Sequence, residues 1–393
     1  MTVSVADLEA DPHGVFRHYR PITPLIAREG SGYLVIRSHD VHALMRDPRL
    51  RHAETDYVEL RGISSGAIYD TFRDSMLTAN GAVHRRRRAP FTRTFAARLI
   101  TDLRPQVRAI ADDLIEEWHA EGEVDLIGRY ASLIPARAVS RLFGLPQADI
   151  PHFTTLVYEV SRILSFTFGP DALPGIEAAT RELTGYIDDL LRARRGGPAG
   201  DFLVGYLADA DLKGELSPAE ILVQIVTLII GATDTTRVAL AVQVALLLQH
   251  REQWEAICRD RLLIPAAVSE SLRFEPSVGA VSRVTLEDIP LGGAVLPAGQ
   301  YVSLSTMSAM RDATAYDRPD DFNIFRTDLA RTHLVFGGGA HRCLGEALAW
   351  VELEEGLAAL AARIPQLRLV GEPPHVQGHF GIRRIDRMRI GWS

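Results

Sequence analysis

The feature that most limits what this chain can fold into is the segment 217–249. It keeps helical apolar spacing throughout and holds the longest apolar stretch of the sequence, ILVQIVTLIIGA at 221–232. A helix that is apolar on nearly every side has to be covered on nearly every side. The stretch is shorter than the ~18 uninterrupted apolar residues needed to span a bilayer, so it reads as the buried helix of a soluble protein. Polar residues, Asp234 and Thr235 among them, interrupt it within GATDTT (231–236). A threonine there can bond back to the carbonyl four residues earlier, Gly231, and bend the helix.

Helical periodicity continues over 101–121, 132–143, 172–194 and 263–275. VSVADLEADPHGVFRHYR reads as one further helix, and SHDVHALMRD as another with Ser38 as its cap. Strand patterns are confined to PLIARE, GYLVIRS, 281–303, LRLV and MRIGW. The Gly/Pro clusters at 195–200 and 371–374 are too short to be linkers, so a single, mainly α domain over 1–393 with a minor β portion is expected. The two cysteines, Cys258 and Cys343, exclude a disulfide framework. The acidic start lacks the layout of a secretion signal. Both point to a reducing, cytoplasmic setting. A net charge of −7 argues against binding nucleic acid through the whole protein. It also makes the run GAVHRRRRAPF (81–91) conspicuous. A solvated basic face or a nucleic-acid tether are the plain readings of that run.

The strongest chemical signal is FGGGAHRCLGEALAWVELEEGLAALAARI (336–364). A glycine-rich loop, able to approach a flat ligand closely, leads through Cys343 directly into a helical pattern. A cysteine at a helix N-terminus meets free N–H groups and the positive end of the dipole, which favour the thiolate. Such a thiolate is a good ligand for iron. Against this stands the ordinary reading of a single cysteine as a small inert core residue. No Gly-Lys-Ser/Thr follows the glycines, which excludes a phosphate-binding loop. No second cysteine or histidine lies at ligand spacing, which disfavours zinc.

Phe336, Gly337, Gly339, His341, Cys343 and Gly345 together resemble the haem-binding signature of the cytochrome P450 monooxygenases, F-G-x-G-x-H-x-C-x-G. Three more segments resemble that family in the right order. GATDTT is similar to its oxygen-activating motif, with Ala232 where glycine is commoner. ESLR (270–273) is similar to E-x-x-R, and GAVHRRRR to the H-x-x-x-R of a haem-contacting helix. The resemblance implies the P450 fold, a triangular prism with haem b between the long distal helix and the cysteine-loop helix. Cys343 would be the axial iron ligand. Asp234 would relay protons and Thr235 hold water or bound oxygen. Glu270 and Arg273 would form a buried structural pair. Asp321 stands where the family usually has a third, basic member, which leaves Arg326 for that place.

By the same resemblance the haem propionates would draw on His84, Arg88, Arg283 and His341. His84 and Arg88 lie about 40° apart around a helix axis, so both can face one ligand. Arg85, Arg86 and Arg87 point elsewhere. With Arg342, Arg85 and Arg86 would form a local basic patch for an acidic ferredoxin. Family position places Phe166, Phe168, Val278, Val281 and Phe380 around an apolar or aromatic small substrate. The implied reaction is insertion of one atom of O2. Electrons would come from a separate ferredoxin or flavodoxin with its reductase, and neither nucleic acid nor a membrane is an expected partner. A haem peroxygenase or isomerase, and a non-enzymatic haem-thiolate sensor, are the alternatives.

Overall fold

The computed structural model describes the chain except residues 31, 95, 96, 166, 167, 198–200, 330–332, 386 and 393. The described chain forms two compact units. The first comprises Met1–Arg51, Val107–Ala131 and Thr235–Ser393, and the second His52–Gln106 and Ser132–Asp234.

The first unit carries all the sheet structure. Six short strands lie in the order Thr2–Val3, Leu25–Arg28, Tyr33–Val35, Tyr301–Leu304, Val281–Thr285, Leu50–Arg51. Tyr33–Val35 runs parallel to Tyr301–Leu304 with Val35 opposite Leu304, and Val281–Thr285 runs antiparallel to it with Arg283 opposite Val302. Leu8, Phe16, Ile26, Leu34, Ile36 and Met307 pack as one apolar cluster of this unit. The helix Glu346–Arg363 is fixed by the Tyr130 hydroxyl, which donates to Gly356 O at 2.8 Å.

Two local expectations are corrected here. The N-terminal helical pattern is two helices, Val5–Ala10 and Pro12–Tyr19. Pro12 has no N–H to continue the first helix and forces Asp11 out of helical geometry (φ −149°, ψ 77°). The freed Asp11 carboxylate then caps the second helix, accepting from Gly14 N at 2.8 Å. Ser38 is the first residue of its helix rather than the cap, which is Arg37. A carboxylate from elsewhere in the chain does the capping work, Asp312 Oδ2 accepting Ser38 N at 2.8 Å.

The second unit is helical. Ile150–Ser165 packs against Leu173–Arg194, and the short helix Ala67–Asp74 packs against the latter as well. Tyr57, Val58, Ile68, Phe72, Ile163 and Ile176 form its apolar cluster.

The segment expected as a long buried helix is Pro218–Gln249. By length and composition it could cross a membrane, which the reading based on uninterrupted apolar runs did not anticipate. Yet 78% of its most apolar 18-residue window is buried inside the protein.

Candidate functional site

The cysteine loop is shaped by its glycines. Gly337 adopts φ +71°, ψ −163°, a conformation open to glycine almost alone. A Cβ on Gly339 (φ +65°) would come within 3.2 Å of Met45 O. Phe336 is buried, with its ring centroid 6.1 Å from that of Trp350. Its carbonyl accepts the Cys343 N–H at 2.8 Å, closing the loop on itself. Gly345 is the N-cap of the 18-residue helix Glu346–Arg363, so Cys343 stands just ahead of a helix N-terminus, with its side chain exposed. Arg342 braces the loop, donating to Glu346 Oε1 at 2.5 Å and to Gly337 O at 3.3 Å. His341 ends a short 3-10 turn and is half-buried.

Arg283, in the same unit, is nearly fully buried. Its guanidinium donates to Ser282 O at 2.8 Å, and no carboxylate pairs with it among the described residues. Burial alone pushes its pKa down to about 10. A buried guanidinium without a counter-charge is costly, and an anionic ligand would remove that cost.

In the second unit His84 is buried on the helix Gly81–Thr94, with Arg88 half-buried one turn later. Burial, then the charges of Arg88 and Arg85, push His84 down to about 4, so the imidazole is neutral and offers a hydrogen bond rather than a charge. The arginine run is not a free basic face. Arg87 is buried, with Nε 3.0 Å from Glu220 Oε1. Arg86 reaches the same carboxylate, Nη2 to Oε1 at 2.5 Å. Only Arg85 of the three is exposed. Glu220 is held down to about 2: Arg86, Ser217 N–H and Arg87 outweigh its burial.

Asp234 is buried and Thr235 partly so. Thr233, one position before the pair, bonds back into the helix, donating to Ile229 O at 3.1 Å.

Glu270 and Arg273 are fully buried and paired at two points, Nε to Oε2 at 2.6 Å and Nη2 to Oε1 at 2.8 Å. Arg326 Nε lies 3.3 Å from Glu270 Oε2 and is nearly buried, while the Asp321 side chain points outward to Arg318 at 3.6 Å.

Of the expected apolar wall, Phe166 lies outside the described residues. Phe168 is half-buried with the Arg61 guanidinium 4.7 Å over its ring. Val278, Val281 and Phe380 belong to the first unit, where Gly279 N donates to Gly381 O at 3.0 Å and joins the 277–281 and 378–382 segments. The hollow found in the second unit is lined by none of the four described ones, Phe168, Val278, Val281 and Phe380.

One buried group escaped the sequence reading. Glu352, on the helix after Cys343, is fully buried, and neither oxygen has a hydrogen-bond partner among the described residues. Burial pushes it up to about 8, opposed by the nearby Thr236 hydroxyl, which is outside hydrogen-bond geometry but close enough to act on the carboxyl. The raised value means the folded protein holds this proton more tightly than the unfolded chain. The associated stability is complete below the ordinary value of 4.5 and is lost as pH climbs toward about 8. The expected slope approaches about 1.4 kcal/mol per pH unit in that window. Urea unfolding across the window should show Glu352→Gln flattening the decline, and an unchanged pH profile would count against a buried protonated acid.

Comparison with known proteins decides what this arrangement belongs to. The family model described as Cytochrome P450 matches residues 50–363. The chain belongs to the cytochrome P450 family. Along its whole length it is 39% identical to the plant-inducible cytochrome P450-pinF1 of Rhizobium radiobacter, over 92% of that protein. It is 32% identical to the vitamin D3 dihydroxylase of Streptomyces griseolus, with 89% of this chain and 84% of that one covered. Among solved structures, CalO2 superposes with a TM-score of 0.90 at 30% identity, covering 99% of this chain and 97% of the other. The mainly α fold with a minor sheet is the P450 fold. This is a family of haem-iron oxidoreductases that includes monooxygenases and hydroxylases. The residues here fit such a group. Cys343 is exposed at the start of a helix, behind a loop cleared of side chains by glycine, and Arg283 is a buried cation lacking an anion.

Proposed function

We propose that the protein is a haem b-thiolate monooxygenase that oxidises an apolar or aromatic small molecule, drawing electrons from a separate ferredoxin or flavodoxin and its reductase. The observation that carries this reading is the exposed Cys343, held by Phe336 O at the mouth of a helix. When bound, the haem would supply the iron at which O2 is activated for transfer of one oxygen atom, with the thiolate favouring O–O cleavage. The chain supplies the rest. The N-terminal end of the Glu346–Arg363 helix is a setting that favours the thiolate of Cys343. Arg283 and Arg88 offer charge to the propionates, and His341 and His84 offer hydrogen bonds. Asp234 carries protons inward along an otherwise apolar helix, and the Thr235 hydroxyl holds a water in place for them.

With Arg86 and Arg87 spent on Glu220, docking of an acidic electron donor on this helix would rest on Arg85. Turnover with purified redox partners tests the reading. Thr235→Ala should retain haem and substrate but divert reducing equivalents to hydrogen peroxide. Asp234→Asn should slow turnover by ~10²–10⁴-fold, the usual worth of a proton-transfer group. Fully coupled, undiminished product formation in both variants would remove the pair from the mechanism.

A further inference from the structure

The second unit contains a hollow of about 420 Å³, counting the part open to solvent, and all of its lining comes from that unit. Ile68, Phe72, Val160, Ile163, Leu164 and Ile230 give it apolar walls. Its polar side-chain atoms are hydroxyls, and no charged side chain lines it among the described residues.

Each hydroxyl has one hydrogen to give, so the donors can be counted. Thr71 donates to Ala67 O at 2.7 Å, Thr78 to Phe72 O at 2.6 Å, and Thr180 to Ile176 O at 2.7 Å. These three can accept but have nothing left to donate. The remaining two hydroxyls are a pair, Thr227 Oγ1 lying 3.1 Å from Ser75 Oγ, which also accepts Leu77 N–H at 2.9 Å. Two hydroxyls bring two hydrogens, and one suffices for the bond between them. The other has no acceptor among the described residues.

The position of that spare hydrogen is built in. Gln224 clamps the segment around Ser75, accepting Met76 N–H at 2.7 Å and donating to Asp74 O at 2.7 Å. Arg87, itself fixed on Glu220, donates to Ser75 O at 3.3 Å. A hydroxyl left without an acceptor in an apolar hollow loses free energy that a ligand oxygen would restore.

We propose that this hollow takes the hydrocarbon body of a neutral substrate bearing one hydrogen-bond acceptor, a carbonyl, ester or ether oxygen, and that the Ser75–Thr227 pair donates to that oxygen. The inference rests on the monooxygenase reading and narrows its substrate class. A carboxylate would enter without a cation to meet it, and an ammonium without a carboxylate, so both charged classes are rejected by desolvation.

Four probes on one skeleton test this with the haem-loaded protein: decalin, 2-decalone, decalin-2-carboxylate and 2-decalylammonium. Binding is read by equilibrium dialysis, which needs no turnover. In the wild type 2-decalone should bind about 2- to 10-fold more tightly than decalin, the worth of one neutral hydrogen bond. Both charged probes should bind at least ~10-fold more weakly than decalin. The double variant Ser75→Ala/Thr227→Val should erase the preference for the ketone while leaving decalin affinity unchanged. A single replacement should not, because either hydroxyl alone keeps a hydrogen to give. The idea is overturned if the double variant keeps the ketone preference, if a charged probe binds as well as the ketone, or if none of the four binds. Should the double variant fail to fold, the wild-type order decides alone. Probes that bind in the expected order to a protein that never oxygenates them would uphold this inference and overturn the monooxygenase reading.

Discussion

Replacing Cys343 with histidine is expected to abolish the red-shifted Soret band of the reduced carbon monoxide complex, because that band requires an axial thiolate. The expected effect is total. The chain has two cysteines, and Cys258 cannot substitute, since it is half-buried and burial raises its thiol pKa. Cys343, by contrast, is exposed two residues ahead of the N-terminal cap of an 18-residue helix, where the N–H groups of the first turn favour the anion. Imidazole can occupy the position but remains neutral, and a neutral ligand does not push electron density onto iron as thiolate does. Cys258→Ser is the control and should leave the band in place. A histidine variant that retained the band would detach the haem from this loop altogether.

How much of this could be read from the sequence depends on whether a residue's role is set by its neighbours in the chain or by distant ones. The cysteine loop is local. Gly337 and Gly339 are glycines because the backbone there takes positive φ values, +71° and +65°, so the shape is written in the residues themselves. The long helix is also local, its apolar pattern needing no partner to be recognised. The N-terminal break was readable too, since Pro12 cannot extend a helix; the apolar spacing across it masked the proline. Ser38 failed as a cap for the opposite reason. Its capping group, Asp312, arrives from 274 positions away.

Charged residues gave the largest departures. In HRRRR the helical spacing sets Arg88 apart but does not say which of the other three is buried; Arg85 is exposed and Arg87 buried, because Glu220 lies against one side of the helix. VELEEG offers three glutamates in the same way. Glu352 is the one turned inward, and burial raises its pKa to about 8. The spare hydroxyl of the Ser75–Thr227 pair depends on bookkeeping among residues 152 positions apart.

Glu270→Ala should be the most destabilising single substitution in the first unit, costing about 3–5 kcal/mol. That is a large share of the ~5–15 kcal/mol that holds a typical domain folded. Glu270 and Arg273 are both fully sealed from solvent, so removing the carboxylate strands a guanidinium that water cannot reach. The carboxylate has further duties. Its Oε1 accepts the Asn323 N–H at 2.9 Å, and Arg326 approaches its Oε2. Arg273 in turn donates to Met310 O at 3.0 Å, Pro319 O at 2.8 Å and Asp321 O at 3.2 Å. The pair therefore ties the helix Ile264–Phe274 to the 310–323 segment, which leads toward the cysteine loop. Replacing both partners by apolar residues, Glu270→Leu with Arg273→Met, should recover only part of the loss. The buried charge would be gone, but three carbonyls and one N–H would remain without partners. Arg326→Met should cost less, because its 3.3 Å contact with Glu270 is secondary and the carboxylate keeps its two-point pairing with Arg273. Urea unfolding of the four proteins, followed together with haem retention, checks the order. An Arg326→Met loss equal to that of Glu270→Ala would make the three residues one inseparable unit. A full rescue by the double variant would reduce the carbonyl contacts of Arg273 to bystanders.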